Sequence, residues 1–276
     1  MNRQSHYFTT KDGAKIYYED IGNGHPIFFL HGWLCSSKFW QRNINNLAKN
    51  FRVIAMDLRG HGNSSKTLSG HTVDQYANDV QELIEYLDLH DLTLIGWSLG
   101  GPTVLSYWKH YSFEHRLKGL GLVDMTPYPF SPEDWNGHAL RNYNADAMNM
   151  SFLAYQKNPR QYIETFVHKM FKDGQVASAD MEWITAEMLK TPTAIGMAAY
   201  SDYLMSDYTS VLPNISIPVT VFSGEIGIYL NGYKQGQYIA SRIPQGTFIG
   251  FHNAGHMLFY EQPEKFDQSV AKLAGQ

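Results

Sequence analysis

The stretch Leu92-Thr93-Leu94-Ile95-Gly96-Trp97-Ser98-Leu99-Gly100-Gly101 constrains this chain more than any other part of it. Its first four residues are apolar or β-branched and read as a strand, while Pro102 to His110 has the spacing of a helix. A strand that turns sharply into a helix packs its own backbone closely, which glycine permits. It also throws the residue at the apex out from the carboxyl end of the strand. That residue is Ser98, so its hydroxyl is a candidate nucleophile.

The rest of the chain supplies a sheet for this turn to sit on. Tyr7 to Thr10 and Ala14 to Ile21 flank Lys11-Asp12-Gly13, and an Asp-Gly pair between β-prone runs predicts a hairpin. Short apolar runs then recur at Ile27 to Leu30, Arg52 to Met56, Leu92 to Gly96, Gly119 to Val123, Val219 to Phe222 and Thr247 to Phe251. They read as strands buried on both faces. Between them Thr72 to Leu89 carries Val73, Tyr76, Val80, Leu83, Ile84 and Leu87 on one helical stripe, and Thr72 with Gln75 forms a capping-box pattern. Strands alternating with helices predict an α/β fold, a mostly parallel eight-stranded sheet with helices on both faces.

The alternation stops after Asp124 and resumes near Pro213. The predicted organisation is therefore a core of residues 1–124 and 213–276 with a helical cap inserted at 125–212. Eight of the eleven methionines fall in the cap, beside aromatic residues such as Trp135, Tyr155, Phe166 and Tyr200. Most of these belong in the cap's own core, but flexible methionine beside aromatic rings also suits an adaptable apolar pocket.

Composition narrows the chemistry. A formal net charge of -4 with no basic or acidic run gives no footprint for nucleic acid or an anionic membrane, so a small-molecule partner is expected. Cys35 is the single cysteine, which excludes intramolecular disulfides and cysteine-based zinc clusters. No run approaches the roughly 18 apolar residues of a membrane span. Met1-Asn2-Arg3-Gln4 leads into the first strand without a secretory stretch. A soluble, cytoplasmic protein is expected, with no metal and no organic cofactor implied.

Serine needs a base within hydrogen-bond reach, normally a histidine held by a third group. His256 follows the last strand in Asn253-Ala254-Gly255-His256, which places it on a loop at the same sheet edge as Ser98. His31-Gly32-Trp33-Leu34 follows the strand ending at Leu30, so the Trp33 amide can face the Leu99 amide as an oxyanion-binding pair. Asp57-Leu58-Arg59-Gly60-His61-Gly62 forms another turn at this edge, whose charges are expected to brace loops.

Taken in order, these segments resemble the α/β-hydrolase superfamily, most closely its small carboxylesterases and cofactor-free haloperoxidases or perhydrolases. The resemblance implies a serine hydrolase that cleaves esters of small to medium, largely apolar substrates through a Ser98 acyl-enzyme. Perhydrolase-like members commonly carry proline after the His-Gly-Trp opening, where this chain has Leu34, which favours plain ester hydrolysis. Serine at the turn, in place of aspartate, argues against dehalogenase and epoxide hydrolase chemistry. Perhydrolysis, lactone opening, carbon–carbon bond hydrolysis and a non-catalytic binding homologue stay open as alternatives.

One position departs from the family pattern. The acid usually stands three residues after the glycine that ends the strand at Val219 to Phe222, and here that position is Gly227. Two substitutes are available: Asp124, 26 residues after Ser98 and matching a known family variant, and Glu225. Asp124 is the favoured third member, with Glu225 as the alternative.

Overall fold

The computed structural model describes residues 5–275. The opening residues Met1 to Gln4, read above as lacking a secretory stretch, lie outside that range. Eight strands form one sheet among the described residues: β1 (Ser5–Thr9), β2 (Lys15–Ile21), β3 (Pro26–Leu30), β4 (Arg52–Met56), β5 (Leu92–Trp97), β6 (Leu117–Val123), β7 (Val219–Gly224) and β8 (Gly246–Phe251). Their spatial order is β1-β2-β4-β3-β5-β6-β7-β8. β2 runs antiparallel to β1 and β4, and the remaining pairs are parallel.

The hairpin closes as its sequence predicts. Gly13 takes a φ of 88°, and the Gly13 amide donates to the Thr10 carbonyl over 2.9 Å. The central strands are buried along nearly their whole length, which is why they read as continuous apolar runs without alternation.

Helices cover both faces, as the alternation of strands and helices requires. A single turn α1 (Ile44–Leu47) precedes β4, and α2 (Val73–Tyr86) leads to β5. Thr72 Oγ1 accepts the Gln75 amide at 3.1 Å, so half of the predicted capping box is present. The Gln75 side chain does not return to Thr72. It donates to Asp79 at 3.0 Å, because a buried carboxylate is the better acceptor. Helix α3 (Gly100–Tyr111) begins two residues before the predicted Pro102, whose fixed φ is compatible with the first helical turn.

Between β6 and β7 the chain forms α4 (Ala145–Lys157), α5 (Pro159–Met170), α6 (Ser178–Met188) and α7 (Thr193–Met205), with no strand. Asn144 and Asn158 cap α4 and α5 through their side chains, and Pro159 starts α5 where a missing amide hydrogen costs nothing. Helix α8 (Gly232–Ser241) links β7 to β8, and the short α9 (Leu258–Glu261) and α10 (Pro263–Ala274) end the described chain.

The order of the strands locates the crevice. From β3 the chain moves outward to β4, then crosses back to form β5 on the other side of β3. Loops after β3 and β5 therefore diverge at the carboxyl edge of the sheet, where open α/β sheets bind ligands.

Candidate active site

Ser98 sits between β5 and α3 with a φ of 54°, in the left-handed region that a residue with a Cβ enters at a cost of roughly 1–2 kcal/mol. Two hydrogen bonds hold it there: the Ser98 amide to the Val123 carbonyl at 3.0 Å, and the Gly101 amide to the Ser98 carbonyl at 2.9 Å. The glycine at position 100 is required by close approach, because a Cβ there would lie 2.6 Å from the Leu30 carbonyl oxygen. The turn is thus pressed against β3, and the serine is left half-buried at its apex.

Asp124 follows β6, also with a left-handed φ of 40°. One carboxylate oxygen lies 2.6 Å from His256 Nδ1, and the other accepts the Gly224 amide at 3.0 Å. Both side chains are almost fully buried, so the pair is shielded from competing water. A carboxylate accepts, so Nδ1 carries the ring proton and Nε2 is left as the basic nitrogen. The histidine loop is itself tethered: the Trp97 indole N–H donates to the His256 carbonyl at 2.9 Å, and the two rings lie 5.1 Å apart.

The alternative acid, Glu225, is occupied elsewhere. It accepts the Asn253 amide at 3.0 Å and faces His252 Nδ1 at 2.6 Å. The Asn253 amide, followed by the His252 ring, holds its carboxyl below the usual carboxylate range. Asp124, and not Glu225, therefore lies against His256. Gly227 passes so close to the histidine loop that a Cβ on it would stand 2.9 Å from the His256 amide nitrogen.

On the other side of Ser98, Gly32 approaches closely enough that a Cβ there would lie 3.0 Å from Ser98 Cβ. His31 fixes this loop. Its Nε2 accepts the Leu58 amide at 2.9 Å, so Nδ1–H donates to the Gly32 carbonyl at 2.8 Å. Burial holds the imidazole well below its ordinary pKa, so the ring is neutral. Trp33 reaches across to the helical insertion, donating from its indole to the Gly196 carbonyl at 2.7 Å and stacking on Tyr200. Trp33, Ser98 and Leu99 line one cavity.

The Asp57–Gly62 turn braces its surroundings. Asp57 accepts the Ser37 and Asn63 amides at 2.7 Å each, and burial raises its pKa to about 6. Arg59 ties the hairpin to α2 through Asp12 and Asp79. Cys35 is buried, with its thiol pushed well above the ordinary range, and donates to the Trp33 carbonyl.

The cavity at Ser98 encloses about 50 Å³ and is walled by Tyr162, Tyr200, Tyr203 and Tyr229 with His138 and Phe166. Of the methionines and aromatics expected to shape a pocket, the aromatics Phe166, Tyr200 and Tyr203 line this cavity and no methionine does. Met170 and Met188 fill the core, while Met150 and Met205 are exposed. A larger depression of about 440 Å³ between α5 and α6 is open to solvent and contains neither Ser98 nor His256. No group of three or more metal-ligating side chains is arranged to hold an ion among the described residues. Nor is any described helix long and apolar enough to cross a membrane.

Sequence reasoning missed Trp97, His31 and His138 as members of this site. Trp97 belongs to the serine motif, but a tryptophan beside a serine carries no signal in residue type that its indole N–H holds the histidine loop.

A parallel sheet with a strained serine at a strand-to-helix turn and a buried acid–histidine pair at the same edge defines an α/β hydrolase. Comparison with known proteins agrees: the family described as alpha/beta hydrolase fold matches residues 25–263, and the chain belongs to it. Among curated relatives, a bifunctional esterase/perhydrolase of Acinetobacter calcoaceticus is 30% identical, over 96% of this chain and 97% of its own. A non-heme chloroperoxidase of Streptomyces lividans is 32% identical over 93% of this chain and 94% of its own. Among solved structures, an esterase from Exiguobacterium antarcticum superposes with a TM-score of 0.89 at 22% identity, covering 99% of this chain and all of that one, a likeness of fold. The protein is a hydrolase.

Proposed function

We propose that this hydrolase is a serine esterase acting on small carboxylic esters, with Ser98 as nucleophile, His256 as general base and Asp124 as the acid that orients it. The observation that carries this reading is the 2.6 Å contact between Asp124 and His256 Nδ1 at the sheet edge where Ser98 is held with positive φ. In the proposed mechanism Nε2 of His256 takes the Ser98 proton as the oxygen attacks the ester carbonyl. The Trp33 and Leu99 amides stabilise the oxyanion, and such donors are worth about a hundredfold or more each. The imidazolium then protonates the leaving alcohol, and water repeats the sequence on the acyl-enzyme to release the acid. Residues 125–212 act as the cap that closes the cavity over the acyl group.

Perhydrolysis is the rival on the same residues. Leu34 favours hydrolysis, because its φ of 61° is one that proline's ring forbids. The loop after Trp33 therefore holds a conformation that a chain with proline at this position cannot share. A fluorophosphonate probe tests the serine reading. The wild type should be labelled and lose p-nitrophenyl acetate hydrolysis, and Ser98→Ala should neither label nor turn over. Labelling that persists in Ser98→Ala overturns it. Peracid formation exceeding ester hydrolysis at comparable nucleophile activity would make the enzyme a perhydrolase.

A further inference from the structure

We infer that His138 is a substrate-recognition residue that selects short esters carrying a second oxygen acceptor, a hydroxyl or keto oxygen, on the acyl chain. This rests on the serine-esterase reading above.

His138 lies on the loop between β6 and α4 and lines the same cavity as Ser98. Its mount is rigid. Asn136 donates to the carbonyls of Pro129 and Ser131 at 2.8 and 2.9 Å, and its own side-chain oxygen accepts the His138 amide at 3.1 Å. Gly137 donates to Gln235 Oε1 at 2.8 Å, and Gln235 donates in turn to the carbonyl of Met125, the residue after Asp124. The loop is thereby fixed to the strand end that carries the proposed acid.

The ring's protonation follows from its partners. Nδ1 accepts the Leu140 amide at 3.2 Å, so the hydrogen of the neutral ring sits on Nε2. Burial lowers its pKa to about 4, which keeps the ring neutral at ordinary pH. Nε2–H has no hydrogen-bond acceptor among the described residues.

Among the neighbouring hydroxyls, Tyr162 is engaged with Ser151 at 2.6 Å, and those of Tyr203 and Tyr229 lie close enough to influence each other's titration. The rings of Tyr203 and Tyr229 each stand 6.1 Å from that of His138, the first edge-on and the second tilted. The wall thus presents a fixed neutral donor that the protein leaves unpaired. A purely apolar acyl chain buries this N–H without an acceptor, whereas a hydroxyl or keto oxygen satisfies it. A site built to bond such a group discriminates against the analogue that lacks it. The cavity is small, about 50 Å³ between tyrosine walls, which favours short acyl chains over long ones.

The test compares methyl butanoate with methyl 3-hydroxybutanoate and methyl 3-oxobutanoate on the wild type, His138→Phe and His138→Gln, with fluorophosphonate labelling of each. Relative to its own value on methyl butanoate, His138→Phe should lose about tenfold or more in kcat/KM on both oxygenated esters. His138→Gln, which retains an N–H donor, should recover part of that loss, a result that a merely structural role would not give. Labelling at the wild-type rate shows that Ser98 is intact in the variants. Equal losses on all three esters with labelling preserved overturn the recognition role alone. Failure of the wild type to label overturns the esterase reading, and this inference falls with it.

Discussion

Gly227 and His256 touch through their backbones: a Cβ at residue 227 would lie 2.9 Å from the His256 amide nitrogen. The family pattern that the sequence resembles leads to an acid at this position, and here a glycine stands there against the histidine loop. The double variant Asp124→Asn/Gly227→Asp should therefore fail to recover the activity lost in Asp124→Asn, and it should unfold at lower temperature than either parent. Recovery of more than about a tenth of wild-type kcat would show that the loop yields.

Asp124→Asn itself should lower kcat by about ten-thousandfold, the loss seen when a triad acid is replaced and the histidine tautomer is no longer enforced. Glu225→Gln should change kcat by less than about threefold, because that carboxylate supports Asn253 and His252. Steady-state kinetics on p-nitrophenyl acetate rank the two, and the reverse ranking would move the role to Glu225.

Trp97→Phe removes the indole N–H that anchors the His256 carbonyl while keeping an aromatic ring against the imidazole. A positioning role predicts a fall of roughly tenfold in kcat with KM little changed, since substrate binding does not involve this bond. A matching rise in KM with constant kcat would place Trp97 in binding instead.

Leu34→Pro should abolish turnover and cost more than about 1 kcal/mol of stability, because the ring cannot adopt a φ of 61°. Urea unfolding and ester kinetics on the same preparation measure both effects. A stable, active variant would remove the conformational reason for favouring hydrolysis over perhydrolysis.

His61 is fully buried, and burial lowers its pKa from 6.5 to about 4. The unfolded chain then binds more protons than the native one between those values, so stability is complete above pH 6.5 and is lost as pH falls towards 4. From pH 7 to pH 5 this single group costs about 2 kcal/mol. His61→Asn can keep a donor for the Arg59 carbonyl without a titrating ring. Its urea-unfolding free energy should fall less over that interval, by about the same amount.

Much of this was legible in the sequence, for reasons visible in particular residues. The eight strands were readable because the central ones are buried on both faces, leaving continuous runs such as Ile27 to Leu30. Ser98, His256 and Trp33 followed from loops at one end of those strands. Spacing and the family variant favoured Asp124 over Glu225 without deciding between them, since both follow strands that end at the same edge. Only the direction of each side chain separates them. The cap was harder still. Its helices are rich in apolar residues on several faces, so composition named methionines and aromatics alike, while register brought Phe166, Tyr200 and Tyr203 to the cavity and left the methionines out of it. Contacts made between backbones, such as that of Gly227 with His256, leave no trace in residue type beyond a glycine.

The most direct measurement is to mix the protein with p-nitrophenyl acetate, quench in acid within the first turnover, and map the acetyl group by peptide mass. The expected result is a burst of nitrophenol equal to the enzyme present, with the acetyl on the peptide containing Ser98 and neither in Ser98→Ala. An acetyl group on another residue, or turnover without any acetylated protein, would contradict a Ser98 acyl-enzyme.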